Sequence, residues 1–452
     1  MTKKTQRNFP LLTVFLFLII LPVLINNTLH SMPPVQRTVL PNGLVLLVSE
    51  DHSLPTVTLQ LLIDAGSRRD PVGQEGLAYL TSRGILLGTS RHTFTAINEE
   101  MDFMGGFLTA SADNDYMTVS LRVLKKDMDK GFNLFMETLT QPTFPEEEIN
   151  KEVRKTLATI QSNEEMPEDV AEKSFLKTLY PDNPYGHPTE GTKESIPKIS
   201  KKDIANFYNT YYHPNNSILA VVGDISAEEV KAKLIPGFNG WQIGTIPEEH
   251  FRSVFAEEPK FLKINRDITQ ANIIIGQKGV SRNNPDYYRL TVMNYILGGG
   301  GFGSRLMDEI RVKRGLAYSV SSFFSPGKYP GSFQIILQTK NSSAKNAISI
   351  SLKELAQMQE KSVSENELER AKKYLTGSFP MRFDTQGKLA NFITQVEYYG
   401  LGLDYPEKYP SLINSVTRED VLRVAKEYLH PKNLILVIVA NLKEAGEINL
   451  TK

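Results

Sequence analysis

The chain has 452 residues, enough for two or more domains each with its own core. Lys+Arg and Asp+Glu both number 51, so the formal net charge is zero and no long basic run offers a surface for phosphates, which argues against a nucleic-acid partner. Cysteine is absent, which removes disulfides, thiolate zinc sites, iron–sulfur clusters and cysteine nucleophiles together; any metal would need His and carboxylates.

In chain order, Lys3, Lys4 and Arg7 precede an apolar stretch from Phe9 to Ile25, and Asn26, Asn27 and Thr28 follow it. That is the layout of a secretory signal peptide. The stretch holds about 17 residues, broken by Pro10 and Pro22, against the roughly 20 that a membrane span needs, and an uncleaved anchor is the alternative. Residues 1–34 are therefore expected to direct export, leaving the chain periplasmic or membrane-anchored facing the periplasm.

Strands are expected over Thr38–Ser49, Val57–Ile63 and Met117–Val123, and amphipathic helices over Pro145–Asn163 and Ser364–Gly377. Gly105-Gly106 reads as a turn into an edge strand. The chain then repeats itself. KKDIANFYNTYYHPNNSILAVVGDI (Lys201–Ile225) and REDVLRVAKEYLHPKNLILVIVANL (Arg418–Leu442) match in register, 217 residues apart. Each is an amphipathic helix ending at Tyr211 or Tyr428, a His-Pro turn, and an apolar strand. VTLQLLIDAGSRRDP (Val57–Pro71) is echoed by ANIIIGQKGVSRNNP (Ala271–Pro285). Two echoes in the same order imply a duplicated domain. Between them Ile235–Pro247 is rich in Gly and Pro without a helical or alternating period, which reads as a linker. The expectation is an α+β chain of two homologous halves, 35–236 and 258–452, joined by a linker over 237–257. Each half is an antiparallel-rich sheet covered by helices on one face.

LPNGLVLLVSED (Leu40–Asp51), DAGSRRDP (Asp64–Pro71), EGLAYL followed by LLGT (Glu75–Thr89), YPDNPYGHPTEGT (Tyr180–Thr192), the HPNN strand and GGGGFGSRLMDEIRVKRGLAYSV (Gly298–Val320) occur in this order. Together they resemble the insulinase/pitrilysin family of zinc peptidases, in its mitochondrial-processing-peptidase-like branch. The resemblance implies an H-x-x-E-H helix after the Gly-Ser loop, with two His on one helix face binding zinc and the Glu activating water. With Gly76 and Gly88-Thr89 as fixed points, Tyr79 and Arg83 stand at the histidine positions and Ser82 at the base. Counting back from Glu164-Glu165-Met166-Pro167 puts Thr159 at the third ligand, with Glu152 earlier on the same helix. The histidines (His30, His52, His92, His187, His213, His250 and His430) include no pair three to five residues apart. The resemblance thus implies no metal in this chain and zinc in a partner subunit.

The segment Asp308–Tyr318 reads as a helix entering a strand. In the family an Arg and a Tyr at the spacing of Arg311 and Tyr318 grip substrate near the scissile bond. The alternative is that Arg311 pairs on a surface helix and Tyr318 packs in the core. Gly298, Gly300 and Gly303 satisfy G-x-G-x-x-G, but Leu290–Leu297 reads as helix rather than strand and no Lys-Ser/Thr follows, so a phosphate loop is not supported. Gly298, Gly299, Gly300, Gly301 and Gly303 read instead as a hinge or loop between the halves. The implied function is that of a non-catalytic subunit in a heterodimeric zinc peptidase, offering Arg311 and Tyr318 to unfolded peptides. A structural or chaperone-like protein of the same fold is the alternative, and a self-sufficient peptide binder is a third reading.

Overall fold

A computed structural model describes residues 32–448 apart from 182, 239, 250–254, 256 and 257. The apolar stretch read as an export signal lies outside the described residues, among which no helix is long and apolar enough to cross a membrane.

The first sheet contains β1 (Gln36–Val39), β2 (Val45–Glu50), β3 (Thr56–Ile63), β4 (Phe107–Ala112), β5 (Met117–Leu124) and β6 (Ser217–Gly223), in the spatial order β1-β2-β6-β3-β5-β4. The second contains β7 (Lys260–Asn265), β8 (Gln270–Lys278), β9 (Ala317–Ser325), β10 (Ser332–Lys340) and β11 (Ile435–Ala440), in the order β7-β11-β8-β10-β9. With β1 set aside, the two orders correspond strand for strand. The parallel pair β2–β6 in one sheet answers the parallel pair β7–β11 in the other. The helix, turn and strand repeats are helix Lys201–Tyr211 leading to β6 and helix Arg418–Tyr428 leading to β11. Ser200 and Thr417 close both helix starts with a capping box.

One expected strand is corrected. Thr38–Ser49 is a hairpin in which β1 pairs with β2 antiparallel across Pro41-Asn42-Gly43. Gly43 takes φ +83°, the left-handed conformation that such a turn requires and that glycine adopts without a Cβ penalty. Leu40 and Leu44 flank the turn and are both buried, so the apolar run continues through it and conceals the break.

Strand alternation sorts the core. Leu46, Val48, Leu59, Leu61, Leu219 and Val221 face the helices of the first half, while Leu47, Ala220 and Val222 face the other way and join the core of the second. In the second sheet Ile273, Ile275, Leu436 and Ile438 face one core, and Ile274, Ile435, Val437 and Val439 another. Burial on both faces explains why β6 and β11 read as unbroken apolar runs.

The second faces are covered by exchange. Helix Pro167–Leu179, which precedes β6, packs through Ala171, Phe175 and Leu179 on β8 and β11 of the second sheet. Helix Gln386–Tyr398 packs on β3 and β6 of the first. The offset of 217 residues carries 167–179 onto 384–396, so the exchanged helices are counterparts. Phe175 fits because β8 has glycine at 276, where a Cβ would stand 2.5 Å from its ring. The Thr56 hydroxyl donates to Gln386 at 2.6 Å, and Arg37 forks onto Glu397 at 2.8 to 3.0 Å. The linker begins under constraint as well: Phe238 and Trp241 are buried in the first core, and the Trp241 indole N–H donates to the Tyr212 carbonyl at 2.8 Å.

Candidate functional site

Helix Leu77–Gly84 starts at Gly76, whose φ of +96° brings the chain so close to Glu190 and Ile196 that a Cβ would clash with both. Asp70 of the SRRDP loop accepts the N–H groups of Gly76 and Ala78, both at 2.8 Å, which ties down the helix start. Leu77, Ala78, Leu80 and Thr81 are buried, leaving Tyr79 and Arg83, four residues apart, to share one face.

That face holds a cation of the protein's own. The Arg83 guanidinium lies 5.4 Å from the centre of the Tyr79 ring, and its Nε is 3.9 Å from Glu152 on helix Glu146–Glu165. Ser82 is buried, and its hydroxyl is spent on the Tyr79 carbonyl at 2.7 Å, so it can activate no water. Thr159 is exposed and donates to the Lys155 carbonyl at 3.1 Å. Tyr79, Arg83 and Glu152 are thus brought together, whereas Ser82 and Thr159 are not part of the group. The donor set does not fit zinc: a fixed positive charge stands beside the one carboxylate. Among the described residues no group of three His, Cys, Asp or Glu side chains could hold a metal. The helix rests against β4, one of the two outer strands of the first sheet.

In the second half the chain turns through Gly298–Gly303 between helix Tyr287–Asn294 and the wide helical turn Met307–Val312. Gly298 lies against β9, where a Cβ would stand 2.5 Å from Ser322 Oγ and 2.7 Å from its backbone nitrogen. Gly299 and Gly300 meet Asn294 and Tyr295 in the same way. All these neighbours belong to the second half. At Gly298, Gly299 and Gly300 glycine is required for close approach. Gly301 (φ +54°) and Gly303 have open space around them and carry Phe302 outward, 69% exposed.

Phe302 meets Arg311. The Arg311 guanidinium lies 4.8 Å from the Phe302 ring centre and 5.0 Å from that of Tyr318, the second residue of β9. Tyr318 is 74% exposed, so it is no core residue. Arg311 has no ion-pair partner among the described residues, and stacking uses its faces while leaving its N–H edges free to donate. Since β9 is an outer strand of its sheet, the stack stands on an edge. No hydrogen bond or ring contact links it to Tyr79 or Arg83. Phe302 was missed in the sequence, where its only signal is a lone large apolar residue inside a glycine run.

A buried charge network from the DAGSRRDP loop joins residues of both halves. The Arg68 side chain is fully buried; it pairs with Asp64 and lies 3.3 Å from Glu249 and 3.5 Å from Asp115. Lys328 of the β9–β10 turn reaches Asp64 at 3.0 Å, and its backbone N–H donates to Asp115 at 2.7 Å. The Tyr398 hydroxyl donates to Asp64 at 3.0 Å, and Tyr185 bonds Asp115. Burial pushes Asp64 up, but Arg68, Lys328 and Arg69 outweigh it and hold the carboxyl below its ordinary value; at Asp115 burial prevails and the value is raised.

Two family models match in succession: Insulinase (Peptidase family M16) over residues 45–193 and Peptidase M16 inactive domain over 198–375. The chain is 28% identical over 419 residues, 90% of each protein, to an uncharacterized zinc protease of Streptomyces coelicolor. It is 27% identical over 404 residues to the non-peptidase homolog YmxG of Helicobacter pylori, covering 88% of this chain and 92% of that one. The crystal structure of a peptidase M16 inactive domain from Pseudomonas fluorescens matches with a TM-score of 0.84 at 28% identity, covering 90% of this chain and 98% of that one. With paired sheets of the same order and successive matches across both halves, the chain belongs to the insulinase family of peptidases, M16, and carries that family's inactive domain.

Proposed function

We propose that the chain is the non-catalytic subunit of a two-chain zinc peptidase, exported by its N-terminal segment and paired with a zinc-bearing homologue. In this reading the homologue holds the zinc, and Arg311 and Tyr318 of this chain hold the peptide. The observation that carries the proposal is the Arg311 guanidinium, stacked between two exposed rings with its donors unspent. A guanidinium so placed donates to a peptide carbonyl or carboxylate, and a phenol beside it donates to an oxygen on which charge develops. The edge strands β4 and β9 supply backbone partners for an extended peptide.

The test is peptide hydrolysis by this chain, by an H-x-x-E-H homologue from the same source, and by the mixture, with zinc analysis of each. Activity confined to the mixture, with zinc following the homologue, supports the proposal. Arg311→Ala is expected to lower turnover by the mixture on the order of 100-fold, the usual loss of one preorganised donor. Unchanged turnover would favour a structural or chaperone-like role, and zinc with turnover in this chain alone would overturn the proposal.

A further inference from the structure

The loop SRRDP and its echo SRNNP keep one arginine but not its acids. Counting from Val57 and Ala271, Arg68 corresponds to Arg282, Asp64 to Lys278 and Asp70 to Asn284. Arg68 is held by Asp64, Asp115 and Glu249, whereas Arg282 has no carboxylate within 4.0 Å among the described residues. It lies 3.9 Å from the Tyr287 ring centre and 5.6 Å from that of Tyr405, and donates to the Tyr405 hydroxyl at 3.1 Å.

Arg282 forms part of the wall of a cavity of about 550 Å³, the size of a small-ligand site. Arg382 lines the same cavity and also lacks a carboxylate partner among the described residues; its guanidinium rests 5.2 Å from the Phe379 ring centre. Lys388 lines it too, paired with Asp384 at 2.8 Å. Phe392 and Leu401 provide apolar wall. Among the described residues Asp113 is the one carboxylate of the lining, and it approaches neither guanidinium within 4.0 Å. Arg282 is part-buried, where a cation without a counter-ion is unfavourable until an anion joins it, and the exposed Arg382 adds a second positive charge at the rim.

We infer that this cavity binds a small organic anion, a carboxylate or phosphate carried on an apolar or aromatic group. Arg282 and Arg382 meet the charge, and the ring-lined wall takes the apolar part. The inference is independent of the peptidase reading, since it uses neither Arg311 nor Tyr318.

The test is calorimetric titration of the whole chain with phenylacetate, phenyl phosphate and benzylamine. Saturable binding of either anion and none of the amine is expected, and the tighter anion identifies the headgroup. Arg282→Gln should weaken binding about tenfold or more, as loss of a charged hydrogen bond does. Arg382→Gln, at an exposed guanidinium that leaves the fold intact, should weaken it about threefold or more, while Arg311→Ala should not change it. Absence of saturable binding by both anions, binding of benzylamine as tight as theirs, or wild-type affinity in both arginine variants would overturn the inference.

Discussion

At the scale of single residues, the face shared by Tyr79 and Arg83 is set by charge. Arg83 brings a positive charge to the helix face where the family resemblance puts a zinc ligand, with Glu152 and Tyr79 beside it. At 3.9 Å and with Arg83 over a third exposed, this pair is weakly coupled. Arg83→Met is therefore expected to change stability by less than about 1 kcal/mol, read from the denaturant midpoint, and to leave turnover by the mixed subunits intact. Glu367 is the opposite case. Burial would raise its carboxyl, but two hydrogen bonds from Arg305, at 2.7 and 3.1 Å, and the Ser364 backbone N–H bring it down to about 2. A depressed carboxylate stabilises fully above its unfolded value and loses that contribution as pH falls from about 4.5 toward 2. Glu367→Gln should cost about 1–3 kcal/mol at neutral pH and flatten the stability profile across that window, which urea melts at several pH values would show.

At the scale of elements, Arg305 and Glu367 fasten one end of the glycine turn while Gly298 fastens the other against β9. Gly298→Ala should cost about 1–3 kcal/mol, visible as a lowered melting temperature, and disturb the Phe302, Arg311 and Tyr318 stack, which under the proposed function reduces peptide affinity. The elements themselves were legible where period and punctuation agreed. The His-Pro turns end the helices at Tyr211 and Tyr428, and helices Glu146–Glu165 and Glu365–Ser378 follow their apolar spacing. The first hairpin was not legible, because Leu40 and Leu44 keep the apolar run going through its turn. Arg311 and Tyr318 could be named from motif spacing, but their stacking with Phe302 depends on the path of a glycine turn, which no periodicity encodes.

At the scale of the whole molecule, the duplication was legible and the exchange of helices was not. An amphipathic helix shows the same 3.6-residue period whichever sheet it covers, so nothing in Pro167–Leu179 reveals that its apolar side meets β8 and β11. Phe175 is the centre of that contact, fully buried and seated on Gly276. Phe175→Ala should cost about 3–5 kcal/mol, and hydrogen exchange should rise in β8 and β11 as well as in the helix itself. The exchange also sets a schedule. During synthesis from the N-terminus, β3 and β6 emerge long before Gln386–Tyr398, the helix that covers their second face. The first half must therefore wait, with Leu47, Ala220 and Val222 uncovered, until nearly the whole chain has been delivered, which makes that interval the one in which the nascent protein most needs protection from aggregation.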